Sequence, residues 1–206
     1  MNNKNSTLSL SLTVFFRILV IKIFSFLLDF TVMISFGGRV GYIVTQICCL
    51  ALLISVVYST MWNMGFSDVN RAKLGVVKKD VFRGLKAGFI GSSFEIIGAL
   101  LLVLTKFNIV PRFWISLFGI FNAPFLPFHL TMLPATLTEA ELPVWNFIFS
   151  ASTVLLIPLI SAFAYALGNF ELSLPEIFIY TTPEAREEYK IKSNSKRNKT
   201  FSKIFK

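Results

Sequence analysis

Two carboxylates, Asp29 and Glu95, lie inside apolar runs, where an ionised side chain is costly and needs a reason. Lys22, Ser25 and Asp29 fall at i, i+3 and i+7, so on a helix they share one face. Arg17 sits in the same run, Arg39 and Arg112 lie beside others, and His129 is the only histidine. This set allows two kinds of chemistry. A carboxylate at depth can bind a cation or relay a proton. Alternatively it pairs with Lys22, Arg17, Arg39 or Arg112 and ties helices together. Bases are close at hand, so pairing is the expected use. His129, two residues after Pro127, reads as a polar group satisfied within a bundle rather than as a catalyst.

Patterns specific to catalysis are missing. One histidine cannot supply H-E-x-x-H, and neither G-x-S-x-G nor G-x-x-x-x-G-K-[ST] occurs. Asp68-Val69-Asn70 opens like a calcium loop, but the required glycine and distal glutamate are not in place. The adjacent Cys48 and Cys49 have poor geometry for a bridge and are expected as buried thiols that pack like small hydrophobes. No catalytic residue, metal-ligand set or cofactor follows, and the chain is expected not to be an enzyme.

The elements that carry these residues are membrane helices. Of 206 residues, 54% are hydrophobic and only 15% charged, against roughly 25% charged in soluble domains. Mean hydropathy is +0.68. Apolar runs long enough for the ~30 Å hydrocarbon layer recur, and alternating strand-like segments do not, so the spans are helical. Arg17 and Lys22 interrupt the apolar core that a signal peptide needs, so an uncleaved first helix is expected over about 13–36. The second span covers about 41–62 and the third about 85–105. On the third, Gly84, Gly88, Gly91, Glu95 and Gly98 recur at spacings of 4, 3, 4 and 3. That is one helix face of small residues, a surface on which another backbone can lie close. Residues 109–135 contain Pro111, Pro124, Pro127 and Pro134. Proline removes a backbone donor, so this stretch is a broken span or a re-entrant hairpin. A last span covers about 144–168, kinked at Pro158.

The net charge of +9 is explained by basic cytoplasmic segments, and nucleic acid is not an expected partner. The 66–86 loop and the basic tail both belong on the cytoplasmic side, so an even number of crossings separates them. The fold class is therefore all-α, a polytopic helical membrane protein. It has four full spans plus one Pro-broken or re-entrant element, with five spans as the alternative. Residues 1–168 form one transmembrane domain. Residues 169–206 form a basic cytoplasmic tail, with an interfacial helix or a solvated chain as its two readings. The expected place is the plasma membrane, multi-pass, with both termini cytoplasmic. Asn5-Ser6-Thr7 and Asn198-Lys199-Thr200 match the glycosylation pattern but fall on those cytoplasmic ends.

In length, apolarity and basic loops the chain resembles the small substrate-binding membrane subunit of energy-coupling-factor transporters. That family has six spans and a small-residue stripe on its first helix. Here the stripe is on the third span, so no residue role carries over. The expected function is helix–helix association as an accessory or immunity-type subunit, with a membrane-protein partner or a second copy of the chain beside the lipid. The alternative is a transporter, or a transporter subunit, for a small solute or ion. Within the fold, Gly88, Gly91 and Gly98 are expected to face the first helix, with Glu95 meeting Lys22 or, failing that, Arg17. Reporter fusions after Leu74 and after Lys206 should both score cytoplasmic and one at Glu139 external. An external score for the C-terminal fusion would replace the re-entrant reading with five crossings.

Overall fold

The computed structural model describes residues 7–36, 38–75, 80–138 and 140–172. The chain divides into Met1–Asn169 and Phe170–Lys206. The tail beyond 172, Lys78, Lys79 and Glu139 lie outside the described residues, and with them the interfacial-helix reading of the tail.

Among the described residues the chain is all-helical, with three helices long and apolar enough to cross a membrane, and up to five if each of two bent pairs is one span. α1 is Thr7–Phe36 and α2 is Gly38–Lys73. Gly38, at φ +53, supplies the left-handed backbone that a side chain resists, and the two helices fold back on each other. α1 starts earlier than the sequence suggests, because Ser11 and Thr13 turn their hydroxyls onto the carbonyls of Thr7 and Ser9 and so need no water.

α2 is the larger correction. The polar stretch from Asn63 to Lys73, expected as loop, is helix. Its 36 residues extend ~54 Å at 1.5 Å each, well past a hydrocarbon core. The buried positions Gly41, Thr45, Cys49, Leu53, Val57, Met61, Gly65 and Val69 follow one another every four residues. Such a row drifts around a helix of 3.6 residues per turn. It therefore faces α1 first and the final helix later. Arg71 and Lys73 in the last turn suit the negative end of the helix dipole. Cys48, one step off the row, is exposed, and only Cys49 is buried as both were expected to be.

The stretch expected as the third span is two helices, α3 (Arg83–Gly91) and α4 (Ser93–Lys106), bent by 59°. Residues 113–132 form α5 (Phe113–Phe121), a 3₁₀ turn at Ala123–Phe125 and α6 (Leu126–Met132), bent by 103°. The last span is α7 (Val144–Ser152), a 3₁₀ turn at Thr153–Leu155 and α8 (Leu156–Asn169). That break falls one turn before Pro158, whose missing N–H leaves the carbonyl of Val154 without its helical donor.

The bent third span also divides the glycine face. Gly84 presses on Tyr165, Gly88 on Pro158 and Ser161 of α8, Gly91 on Val14 and Ser11 of α1, and Gly98 only loosely on Phe118. The expectation that Gly88, Gly91 and Gly98 together meet the first helix therefore holds for Gly91 alone. The tightest backbone-to-backbone approaches involve two further glycines. A Cβ on Gly65 would collide with the carbonyl of Tyr165, and one on Gly168 with that of Trp62. These contacts gather the C-terminal ends of α2 and α8 and the N-terminal ends of α1 and α3 at one end of the bundle.

Asp68 seals that end. It pairs with Arg83 at 2.6 Å and accepts the Tyr165 hydroxyl at 2.7 Å. Elsewhere, Arg112 donates to the carbonyls of Ala135 and Leu137 at 2.9 and 2.6 Å, so the two ends of the 113–132 segment lie together. Lys106 donates to the Leu142 carbonyl at 2.6 Å, fixing the end of α4 beside the start of α7. In the connector, Thr138 donates its N–H and hydroxyl to Glu141. These bonds, with Arg112 nearby, hold the Glu141 carboxyl below its usual range.

Gly168→Ala should lower thermal stability in detergent by roughly 1–3 kcal/mol, the usual range for overpacking. Gly98→Ala should be neutral or mildly stabilising, because its Cβ would meet Phe118 at an ordinary 3.5 Å. Melting curves of the two variants check this contrast, and equal losses would contradict it.

Candidate functional site

Glu95 owes its place to the break at Ser92. The Ser92 hydroxyl and N–H both turn back to the Gly88 carbonyl, at 2.8 and 2.9 Å. Gly and Ser together are a common cause of helix kinks. The new helix starts at Ser93, which puts Glu95 in its first turn. There the helix dipole favours negative charge. Lys22 reaches across from α1 and forms an ion pair with Glu95 Oε1. The Lys22 side chain is 18% exposed and that of Glu95 only 1%, so the pair is open from the lysine side alone. Glu95 Oε2 is buried and has no hydrogen-bond partner among the described residues.

Two voids adjoin the pair. The larger is a groove of about 500 Å³, walled by Leu19, Ile23 and Phe26 of α1 and by Phe94 and Phe121 across from them, with Lys22 and Glu95 as its polar surface. The smaller, about 40 Å³, lies between Glu95 and Asn122, Trp114 and Phe118, room for a water or two. The rings of Phe94 and Phe121 meet edge to face at 5.4 Å where the α3–α4 bend meets the end of α5.

The third break lies next to the second. Asn122 Nδ2 bonds His129 Nε2 and the Thr153 hydroxyl, both at 3.0 Å, joining the turn after α5 to the turn before α8. His129 also rests on the Phe118 ring at 5.0 Å. It is buried, is not among the residues that line either void, and tethers the broken segment.

Two other residues singled out from the sequence stay apart. Arg17 is exposed and forms no ion pair among the described residues. Asp29 is buried between α1 and α2 with both carboxylate oxygens unpartnered among the described residues. The expected pairing of Asp29 with a base is therefore not found. Two turns of α1 separate it from Lys22, which is occupied by Glu95.

Sequence reasoning passed over Gln46. Its Nε2 donates to the Pro124 carbonyl and its Oε1 accepts the Phe128 N–H, both at 3.1 Å, so one amide closes the gap that the proline-rich turn opens in its own backbone. An amide in an otherwise apolar span was the available signal. Asp68, Arg83 and Tyr165 were missed as a cluster because α2 was expected to end near residue 62.

Compared with known proteins, the chain matches no family model, no curated protein and no solved structure.

Breaking the pair from one side, as Glu95→Gln or Lys22→Met, should cost roughly 3 kcal/mol, because the remaining charge is stranded away from water. The double change should recover at least half of that in a double-mutant thermal-stability cycle. Additive losses would mean that the two side chains act separately.

Proposed function

We propose that this chain is a non-enzymatic plasma-membrane protein with four full crossings, one re-entrant element and both termini cytoplasmic. We further propose that it holds a small, largely apolar solute in the Lys22–Glu95 groove, as a transporter or transporter subunit. Three things support the count. The hydrogen bonds from Arg112 to Ala135 and Leu137 hold the ends of 113–132 together, as a re-entrant element requires. The contacts of Gly65 and Gly168 keep the end of α8 beside the end of α2. The segments that follow those two ends are both basic, as cytoplasmic segments are.

The observation that carries the solute reading is the groove itself. Its volume of about 500 Å³ falls within the roughly 300–1,000 Å³ of small-molecule sites. It is apolar apart from one ion pair, and it lies where two broken helices meet. Discontinuous helices that present a helix N-terminus at mid-depth are how many transporters build their binding sites. The accessory-subunit reading drew on a face of small residues. Gly84, Gly88 and Gly91 are covered by α8 and α1, and the exposed apolar residues that remain are what lipid contact requires.

Native mass spectrometry of protein purified in mild detergent should detect one small-molecule adduct. Leu19→Trp, which fills the groove, should remove it while leaving the fold intact. A co-purifying polypeptide lost in Leu19→Trp, with no small-molecule adduct in the wild type, would give the groove to a partner helix and restore the association reading.

A further inference from the structure

The second carboxylate occupies a separate site, independent of the groove. Asp29 is 7% exposed and Ser25 and Thr45 are fully buried. None of their side-chain oxygens has a hydrogen-bond partner among the described residues. Ser25 and Asp29 are one turn apart on α1. The Cys49 thiol of α2 lies 3.9 Å from the Ser25 carbonyl, which sets the register of the two antiparallel helices. One turn forward on α1 from Ser25 is Asp29, and one turn back on α2 from Cys49 is Thr45, so Asp29 and Thr45 face each other.

The hydroxyls are the telling feature. Ser11, Thr13, Thr31, Ser35, Thr60, Ser92, Thr105 and Thr131 all donate to the carbonyl four residues earlier, the usual refuge of a hydroxyl on an apolar helix. Ser25 and Thr45 do not, although both are buried; Ser150 and Ser161 share that condition, and what sets Ser25 and Thr45 apart is the unpaired Asp29 carboxylate at the same α1–α2 contact. Nor do Ser25 and Thr45 bond Asp29, and the register of α1 and α2 brings all three to one contact between the two helices. Unbonded oxygens that two helices bring to one contact are what a hard cation, held at about 2.3–2.6 Å from each, would use. A lone carboxylate at this depth also needs a counter-charge or a proton, and no side chain among the described residues supplies a counter-charge.

We propose that Asp29, Ser25 and Thr45 bind a single monovalent cation of about the size of sodium between α1 and α2. The donors are all oxygen, which selects a hard ion. A single carboxylate balances one positive charge, whereas a divalent ion usually gathers more. No group of three or more His, Cys, Asp or Glu that could hold a metal occurs among the described residues, so a transition-metal site is not the alternative. The rival occupant is a proton on Asp29. Asp29 lies seven residues from the end of α1, about 10 Å at 1.5 Å per residue, so an ion arrives from the side of the α1–α2 turn.

The test uses the purified full chain in detergent at fixed pH. Its melting temperature is measured in NaCl and in N-methylglucamine chloride at equal ionic strength, and binding of radioactive sodium is measured directly. Sodium at about ten times its dissociation constant should raise the melting temperature by on the order of 3–5 °C. Binding should approach one ion per chain. Asp29→Asn and Thr45→Val should each abolish both effects, and Ser35→Ala, whose hydroxyl is bonded to its own helix, should keep them. A melting temperature indifferent to sodium, with no bound ion, would assign the site to a proton and overturn the proposal. So would sodium binding that persists unchanged in Asp29→Asn. If Asp29→Asn does not fold, Thr45→Val decides the matter in the same way.

Discussion

In an apolar solvent every backbone N–H and C=O must find its partner inside the protein, and this constraint organises the bundle around its breaks. Three helices are interrupted, at Ser92, between Asn122 and Phe125, and between Thr153 and Leu155. Each interruption releases carbonyls or removes donors, and each is covered by a side chain from a neighbour or from its own turn. Ser92 returns to Gly88, Gln46 spans Pro124 and Phe128, and Thr153, held by Asn122, returns its hydroxyl to the Ser150 carbonyl. The breaks at Ser92 and Asn122 meet through Phe94 and Phe121, and those at Asn122 and Thr153 through the asparagine itself. Irregular backbone is thus concentrated in one region, and both voids beside Glu95 adjoin it.

The same arrangement explains why an ion pair is tolerated there. Glu95 sits in the first turn of a helix that exists only because of the bend, so the dipole of α4 and the Lys22 ammonium act on one carboxylate together. A straight third helix would have had Glu95 in mid-helix with no such contribution. At the other end of the bundle Asp68 is shared between Arg83 and Tyr165. This shared carboxylate links α2, α3 and α8 where their polar ends emerge. The backbone approach of Gly65 and Gly168 brings those three side chains within reach.

Much of the architecture is legible in the chain, for reasons that can be named. Prolines at 111, 124, 127 and 134 cannot donate, so the interruption of 109–135 follows from chemistry. Glu95, Lys22 and Asp29 stand out because charge at depth is costly. Where the reading failed, it failed on geometry beyond one helix. The spacing of Gly84, Gly88, Gly91 and Gly98 describes one face only if the helix is straight, and Gly91-Ser92-Ser93 bends it. The stretch from Asn63 to Lys73 is polar enough to read as loop, yet packing against α8 keeps it helical.

Sequence alone determined the helical class, the apolar runs and the residues whose burial would need explanation, because these depend on composition and local periodicity. Depth along the helices put Lys22 first and Arg17 second as partners for Glu95, and the tertiary structure decided between them and left Asp29 without a base. Glu95 takes Lys22, Arg17 turns outward, and Asp29 stays with two unbonded hydroxyls for company. The physical reason is that pairing depends on depth, rotation and bend angle, each set by contacts between distant segments. A 59° turn at one serine moves a side chain to a new neighbour without altering anything that the local pattern of residues can record.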